Sequence, residues 1–359
     1  MQKFFYLTAS LLLLCAGFTA CSDDDDAPNP PHPTVDPVAK QAFVTIQGNQ
    51  YGGVAGSMDC LNLSSGETLT DLFFATNQQS LGDTPQQAVR YGSHLYVPVF
   101  GSNLVWVLNG TTLQIVKQLT ITQPEAVCGA EGYVFVAGND GNLTRIDTLD
   151  YSLSAPLAVG PNPAALCAHG GKVWVSVSDG YNYEGGYANG KKLAVVDAKQ
   201  LKLERTVEVG LNPGALCANS RGEVFVVCRG NYYDVLPKVQ KVATDGKVTD
   251  LCEGNLLAIH KDRLYVMSAT ADYVNNACTV SLRAFDTLGG SETAINLAEE
   301  ATPGMPNAID VEPLSGDLYI SSDKGPMDYD KQGYVLHLTS EGALKQRFEV
   351  GIHPFGVAF

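Results

Sequence analysis

Apolar and polar positions along this chain follow one short pattern, repeated. From Pro124 it reads Pro-Glu-Ala-Val-Cys, a Gly-containing turn, then Tyr-Val-Phe-Val-Ala. From Pro163 it reads Pro-Ala-Ala-Leu-Cys, a Gly-Gly turn, then Lys-Val-Trp-Val-Ser, and from Pro213 Pro-Gly-Ala-Leu-Cys followed by Val-Phe-Val-Val. Further copies start at Pro85 and Pro306, and one without proline starts near Leu256. Pro85, Pro124, Pro163 and Pro213 are 39, 39 and 50 residues apart, and the later intervals are similar. Alternation at period two, bounded by Gly, Pro and Asn, predicts β-strands; no long helical stripe interrupts it. Each unit predicts four strands: a small apolar one, an alternating one with an aromatic, a third such as Leu193-Ala194-Val195-Val196-Asp197, and a fourth ending near Val-Gly.

Four-stranded units at this period are propeller blades. Six run from Pro85 to Gly351. Two fragments remain: the terminal His-Pro-Phe-Gly-Val-Ala-Phe, a first strand alone, and residues 42–76, which supply later strands, Asp71-Leu72-Phe73-Phe74-Ala75-Thr76 among them. Joined, they make a seventh blade whose closure removes free sheet edges. The expectation is an all-β, seven-bladed β-propeller over residues 41–359, with a six-bladed ring as the alternative. The Val-Gly…Pro…Gly-x-aromatic-Val-x-Val…Val-x-Asp pattern resembles the YVTN/YncE-like propeller family across that span.

In a four-strand meander, loops joining strands two and three share a face with those leading into strand one. In the second and third blades the former are short, Phe100-Gly101-Ser102-Asn103 and Gly138-Asn139-Asp140-Gly141. Elsewhere they are longer and hold eight of the sixteen tyrosines: Tyr51, Tyr181, Tyr183, Tyr187, Tyr232, Tyr233, Tyr273 and Tyr329. Turn chemistry needs only Gly, Asn and Asp. Tyrosine adds a flat apolar face and a hydroxyl at low conformational cost, which suits a binding surface. With Phe100, Asn275, Asn276, Met327 and His353, these tyrosines form the candidate ligand face. The residues before the strand-one prolines (Thr84, Gln123, Asn162, Asn212, Met305, His353) are expected near the axis there, forming turns.

Ahead of the repeats, residues 1–20 read as a secretory signal peptide: Lys3, an apolar run from Phe4 to Phe18, then Thr19-Ala20-Cys21. The small residues before Cys21 resemble a bacterial lipobox, with Phe18 where Leu is usual, which implies acylation of Cys21. Residues 21–40 are expected to be an acidic, Pro-rich tether: Asp23 to Asp26, then five prolines in residues 27–37. The acidic run is similar to the export tag of surface-exposed lipoproteins in a group of gut-dwelling Gram-negative bacteria. Together these imply an outer-membrane protein, lipid-anchored at the cell surface.

Charge narrows the function classes. With 38 acidic against 23 basic residues, the chain would be repelled by phosphate backbones, so nucleic acid is not expected as a partner. Catalytic motifs are missing: there is no Gly-x-Ser-x-Gly, no phosphate-binding Gly-Lys-Ser/Thr and no His-Glu-x-x-His. The seven cysteines beyond Cys21 show no metal spacing; Cys128, Cys167 and Cys217 share one repeat position and read as small packing residues. His94, His169 and His260 recur in turns of the opposite face, His337 sits in a strand, and only His353 reaches the tyrosine face. No enzyme activity, cofactor or metal is expected.

Leader, acidic tag, repeat class and aromatic loops together resemble the surface-exposed vitamin B12-binding lipoproteins of bacterial corrinoid-uptake systems. That resemblance implies a corrinoid such as cobalamin as ligand and a TonB-dependent outer-membrane transporter as partner. Haem, siderophore or glycan binding, a propeller lyase or lactonase, and a protein-binding scaffold stay open beside it.

Overall fold

The computed structural model describes residues 41–359; the expected signal peptide, Cys21 and the tether lie outside the described residues. Seven four-stranded antiparallel sheets form the ring. Blade 1 is built from both chain ends: Pro354–Ala358 is its innermost strand, followed outward by Gln41–Ile46, Ser57–Asn62 and Thr68–Leu69. Blades 2 to 7 follow in chain order, with innermost strands Val89–Tyr91, Pro124–Ala130, Pro163–His169, Pro213–Ala218, Leu256–His260 and Met305–Val311. The ring is a seven-bladed β-propeller, closed as the repeat spacing predicts.

Register explains the repeated aromatic. In every blade it pairs across the ladder with the fourth residue after the proline or its equivalent: Phe43 with Ala358, Tyr96 with Val89, Phe135 with Cys128, Trp174 with Cys167, Phe225 with Cys217, Tyr265 with Ala258 and Tyr319 with Asp310. Cross-strand partners lie on one side of a sheet, so a large ring needs a small neighbour. The cysteines fill that slot, and burial pushes the Cys128 thiol up to about 12. Cys60, buried elsewhere in blade 1, also rises to about 12. A thiol-specific reagent at pH 8 is expected to leave Cys60 and Cys128 unmodified in the native protein and to label both after unfolding, as mass spectrometry would read.

One expectation fails. Asp71 to Thr76 does not supply a strand; Leu72–Asn77 is a short helix. Leu72 and Phe73 are both fully buried, and Phe73 packs on Trp106 with ring centroids 5.5 Å apart. A strand would send these neighbours to opposite faces, whereas one helical turn turns both into the seam between blades 1 and 2.

Asp310 is the one charged residue in the small-residue slot. Its Oδ2 accepts from Val357 N–H at 2.8 Å and its Oδ1 from Gln87 Nε2 at 2.5 Å, so it ties blade 7 to the closing strand and to blade 2. Burial drives its pKa from 3.8 to about 7, with those two hydrogen bonds opposing. The folded state therefore holds the proton more tightly than the unfolded chain. That contribution to stability is complete below about pH 4 and is lost as pH rises through 7. A shift of this size corresponds to about 4 kcal/mol, reduced to about 2 kcal/mol because Asp310 is only half-buried where it lines the axial channel. Urea denaturation at pH 4 and pH 8 is expected to show wild type losing most of that relative to Asp310→Asn.

Candidate functional site

The face begins at the residues before the strand-one prolines. Thr84, Gln123, Asn162, Asn212 and His353 all adopt left-handed backbone, with φ between 42° and 56°. Two of them do more than turn the chain. Asn162 accepts the Tyr181 N–H at 3.2 Å and donates to Asn139 Oδ1 at 2.5 Å. Asn212 donates to the Tyr232 hydroxyl at 3.3 Å. The inner turns thus hold the aromatic loops.

Four of the five long loops, those of blades 1, 4, 5 and 6, carry their own brace. Asn49 Oδ1 accepts Gly52 N–H, Asn182 Oδ1 accepts Gly185 N–H, and Asp272 accepts the N–H groups of Val274 and Asn275. Asn231 Oδ1 gathers three, from Tyr233, Asp234 and Val235. Gly230 closes that loop at φ 72°, where a Cβ would lie 1.8 Å from the Val235 carbonyl oxygen, so no other residue fits. Polar residues that bind their own loop backbone fix its shape without a core. In four of these loops a tyrosine follows the brace by one or two residues, and the folded loop turns it outward: Tyr51 is 99% exposed and Tyr233 89%, with Tyr183, Tyr232 and Tyr273 also exposed.

The long loops belong to blades 4, 5, 6, 7 and 1, which are consecutive around the ring. Tyr187 and Tyr232 meet edge to face at 6.5 Å across blades 4 and 5. In blade 6, strands Arg263–Asp272 and Ala277–Asp286 run ten residues each, about four beyond the six usual here, which raises the Tyr273 turn by roughly 13 Å. Asn276 in that turn donates to Asp328 at 3.1 Å and accepts the Met327 N–H at 2.8 Å, joining blade 6 to blade 7. Tyr329 and Tyr51 line one cavity of about 200 Å³, with Gln47, Gly48, Asn49, Gln50, Thr84 and His353. The aromatic wall is therefore a crescent, low at blades 2 and 3, where only the half-buried Phe100 stands.

Of the candidate residues, Tyr51, Tyr181, Tyr183, Tyr232, Tyr233, Tyr273, Asn275, Asn276, Met327 and Tyr329 are exposed on these loops. Tyr187 differs: at 6% exposure it lies beneath Tyr232 as a support, not a contact surface. Asn275 is committed to Asp272 through its Nδ2 at 2.6 Å. On the opposite face the turn histidines are spoken for. His94 packs edge-on against Tyr151, and His169 and His260 pack against Gly222 and Gly316 of the following blades. Among the described residues no three His, Cys, Asp or Glu side chains converge as a metal site.

The floor of the crescent holds residues that the repeat did not flag. One rim position, at the end of the second strand in the six blades whose first strand begins with or follows a proline, contains Gln47, Phe100, Asn139, Ser178, Arg229 and Asp323, each paired by the backbone to the residue preceding that proline. An axial channel of about 380 Å³ opens below, lined in part by Glu125, Arg229, Gln86 and Phe355. Burial raises the Glu125 pKa against the hydrogen bond from Asn139 and the charge of Arg229. At the rim, His353 Nδ1 and Asp323 Oδ2 are 2.7 Å apart. Asp323 is 2% exposed, its Oδ2 also accepts from Asn307, and its Oδ1 is buried with no partner. His353 thus has a carboxylate partner that its own stretch of sequence does not show. Aligning the rim position in register across blades would have exposed Asp323 as its one acidic member.

No family model and no curated protein matches the chain. Among solved structures it is similar to hydrazine synthase of Kuenenia stuttgartiensis, with a TM-score of 0.62 and 15% identity over 77% of this chain and 89% of that one. It is also similar to a quinonprotein alcohol dehydrogenase-like protein of Bacteroides thetaiotaomicron, with a TM-score of 0.63 and 12% identity over 88% of this chain and 77% of that one. At such identities the likeness carries the fold alone: this chain is a seven-bladed β-propeller.

Proposed function

We propose that this protein is a cell-surface lipoprotein that binds vitamin B12 or a related corrinoid on the tyrosine face and passes it to a TonB-dependent outer-membrane transporter. The observation that carries the reading is the crescent of braced, outward-facing tyrosines on one face. A corrin is broad, apolar at its rim and fringed with amide arms. Tyrosine rings cover such a rim while their hydroxyls, with the Asn275 carbonyl and the Met327 side chain at the high side that Asn276 holds in place, meet amides and methyl groups. Bracing the loops before the ligand arrives lowers the ordering cost of binding. The lipobox-like leader, the acidic tag and the YVTN-like repeat favour a surface nutrient-capture role. The TonB-dependent partner rests on the same resemblance.

Titrating protein lacking residues 1–20 with cyanocobalamin in a calorimeter is the direct test. Saturable heat at micromolar concentrations supports the reading, and its absence rejects it. Haem, a siderophore or a glycan giving thermal stabilisation where corrinoids give none would move the site to that ligand. The His353–Asp323 pair is the feature that favours a lyase or lactonase instead, since an acid–base site needs such a dyad. Turnover of a sugar or lactone substrate that His353→Asn abolishes would select that reading.

A further inference from the structure

We propose that His353 is the axial ligand to the metal of the bound macrocycle, held for that task by Asp323. This rests on the corrinoid reading above and adds the atom through which the site would recognise the metal. The repeat makes His353 conspicuous. Its position needs a residue that tolerates left-handed backbone before proline, and Thr84, Gln123, Asn162 and Asn212 meet that need with hydroxyl or amide side chains. An imidazole adds nothing to the turn. Asn162 and Asn212 hold neighbouring loops. The His353 ring instead reaches to blade 7 and meets a carboxylate that the fold has taken almost wholly out of water.

Burying Asp323 is costly, and one of its oxygens has no partner. A structural histidine anchor would not require it. A ligating histidine does: the carboxylate accepts from Nδ1–H and fixes the tautomer and ring plane, so that the other nitrogen is the one presented. That nitrogen, Nε2, has no hydrogen-bond partner among the described residues, and the side chain lines the cavity shared by Tyr51 and Tyr329. At about 200 Å³ the cavity is smaller than the roughly 300–1,000 Å³ of a pocket that encloses a whole ligand. It suits a ring lying across its mouth. Among the described residues no third His, Cys, Asp or Glu joins this pair as a metal-binding cluster. A metal already bound by four macrocycle nitrogens needs only one donor from the protein. The exchange is balanced without any oxidant: the cobalt–water bond breaks, a cobalt–nitrogen bond forms, and the water leaves.

Diaquacobinamide is the probe, because both its axial positions carry exchangeable water; dicyanocobinamide, with both blocked by cyanide, is the control. Wild type is expected to shift the visible spectrum of diaquacobinamide and, after reduction to cobalt(II), to show a three-line nitrogen splitting in electron paramagnetic resonance. His353→Asn places in this turn the residue that blades 4 and 5 already use, so it should fold, with a melting temperature near wild type as the check. It should remove the splitting and weaken diaquacobinamide at least tenfold while leaving dicyanocobinamide unchanged. Asp323→Asn should keep the splitting and weaken diaquacobinamide by about ten- to a hundredfold. Both cobinamides binding equally, with no splitting and no effect of His353→Asn, would overturn the axial role and leave the corrinoid reading standing. Binding of neither would overturn both.

Discussion

Removing residues 354–359 is expected to abolish folding. The deleted strand is the innermost of blade 1 and closes its ladder onto the first strand of the chain: it pairs Val357 with Val44 and Ala358 with Phe43. Val357 and Ala358 are buried, Phe359 packs on Tyr319 at 4.9 Å, and the Phe359 carbonyl accepts from Arg90 of blade 2. Deletion would expose the edge of Gln41–Ile46, leave Asp310 without the Val357 N–H, and open the ring. Burial of a few apolar side chains and a ladder of hydrogen bonds is worth more than about 5 kcal/mol, comparable to the whole stability of an ordinary domain. Circular dichroism melts and size-exclusion should show aggregated or unfolded protein. A synthetic peptide of residues 353–359, added during refolding, should restore a cooperative melt by supplying the strand in trans. A truncated protein that melts within a few degrees of wild type would mean the ring does not depend on this closure.

The fold was legible because a propeller writes its plan locally. A strand-one proline, a Gly turn and a central aromatic recur in blade after blade, and each aromatic faces a small residue in register. The terminal strand could be assigned to blade 1 because the first folded segment lacked one. Where local pattern and packing parted, sequence reading failed: Leu72 and Phe73 look like strand residues until the seam beside Trp106 requires both on one side. The aromatic loops were legible by composition. Their bracing was not, because Asn49, Asn182, Asn231 and Asp272 are also what any turn would contain. Asp323 was hidden for a different reason. Its partner is 30 residues away on another blade, and only the closed ring brings it to His353. Tyr187 was misjudged because a loop position says nothing about which of two neighbouring rings lies on top.

That last distinction sets the remaining prediction. Tyr232→Ala and Tyr273→Ala should each weaken cyanocobalamin binding by about 5- to 30-fold, the one to two kcal/mol typical of an aromatic anchor in a contact surface. The two rings stand on blades 5 and 6 with no shared partner, so their effects should add in free energy, about 25- to 900-fold for the double variant. Tyr187→Ala should also weaken binding, although the ring is buried, because Tyr232 loses the surface beneath it and keeps only the Asn212 hydrogen bond. In combination with Tyr232→Ala that loss should largely disappear, since nothing then remains to support. Leu314→Ala, exposed on the opposite face, is the control and should change nothing. If neither Tyr232→Ala nor Tyr273→Ala alters the affinity, the ligand does not sit within the crescent. Then the braced loops serve some other contact, and the tyrosine face is the wrong site.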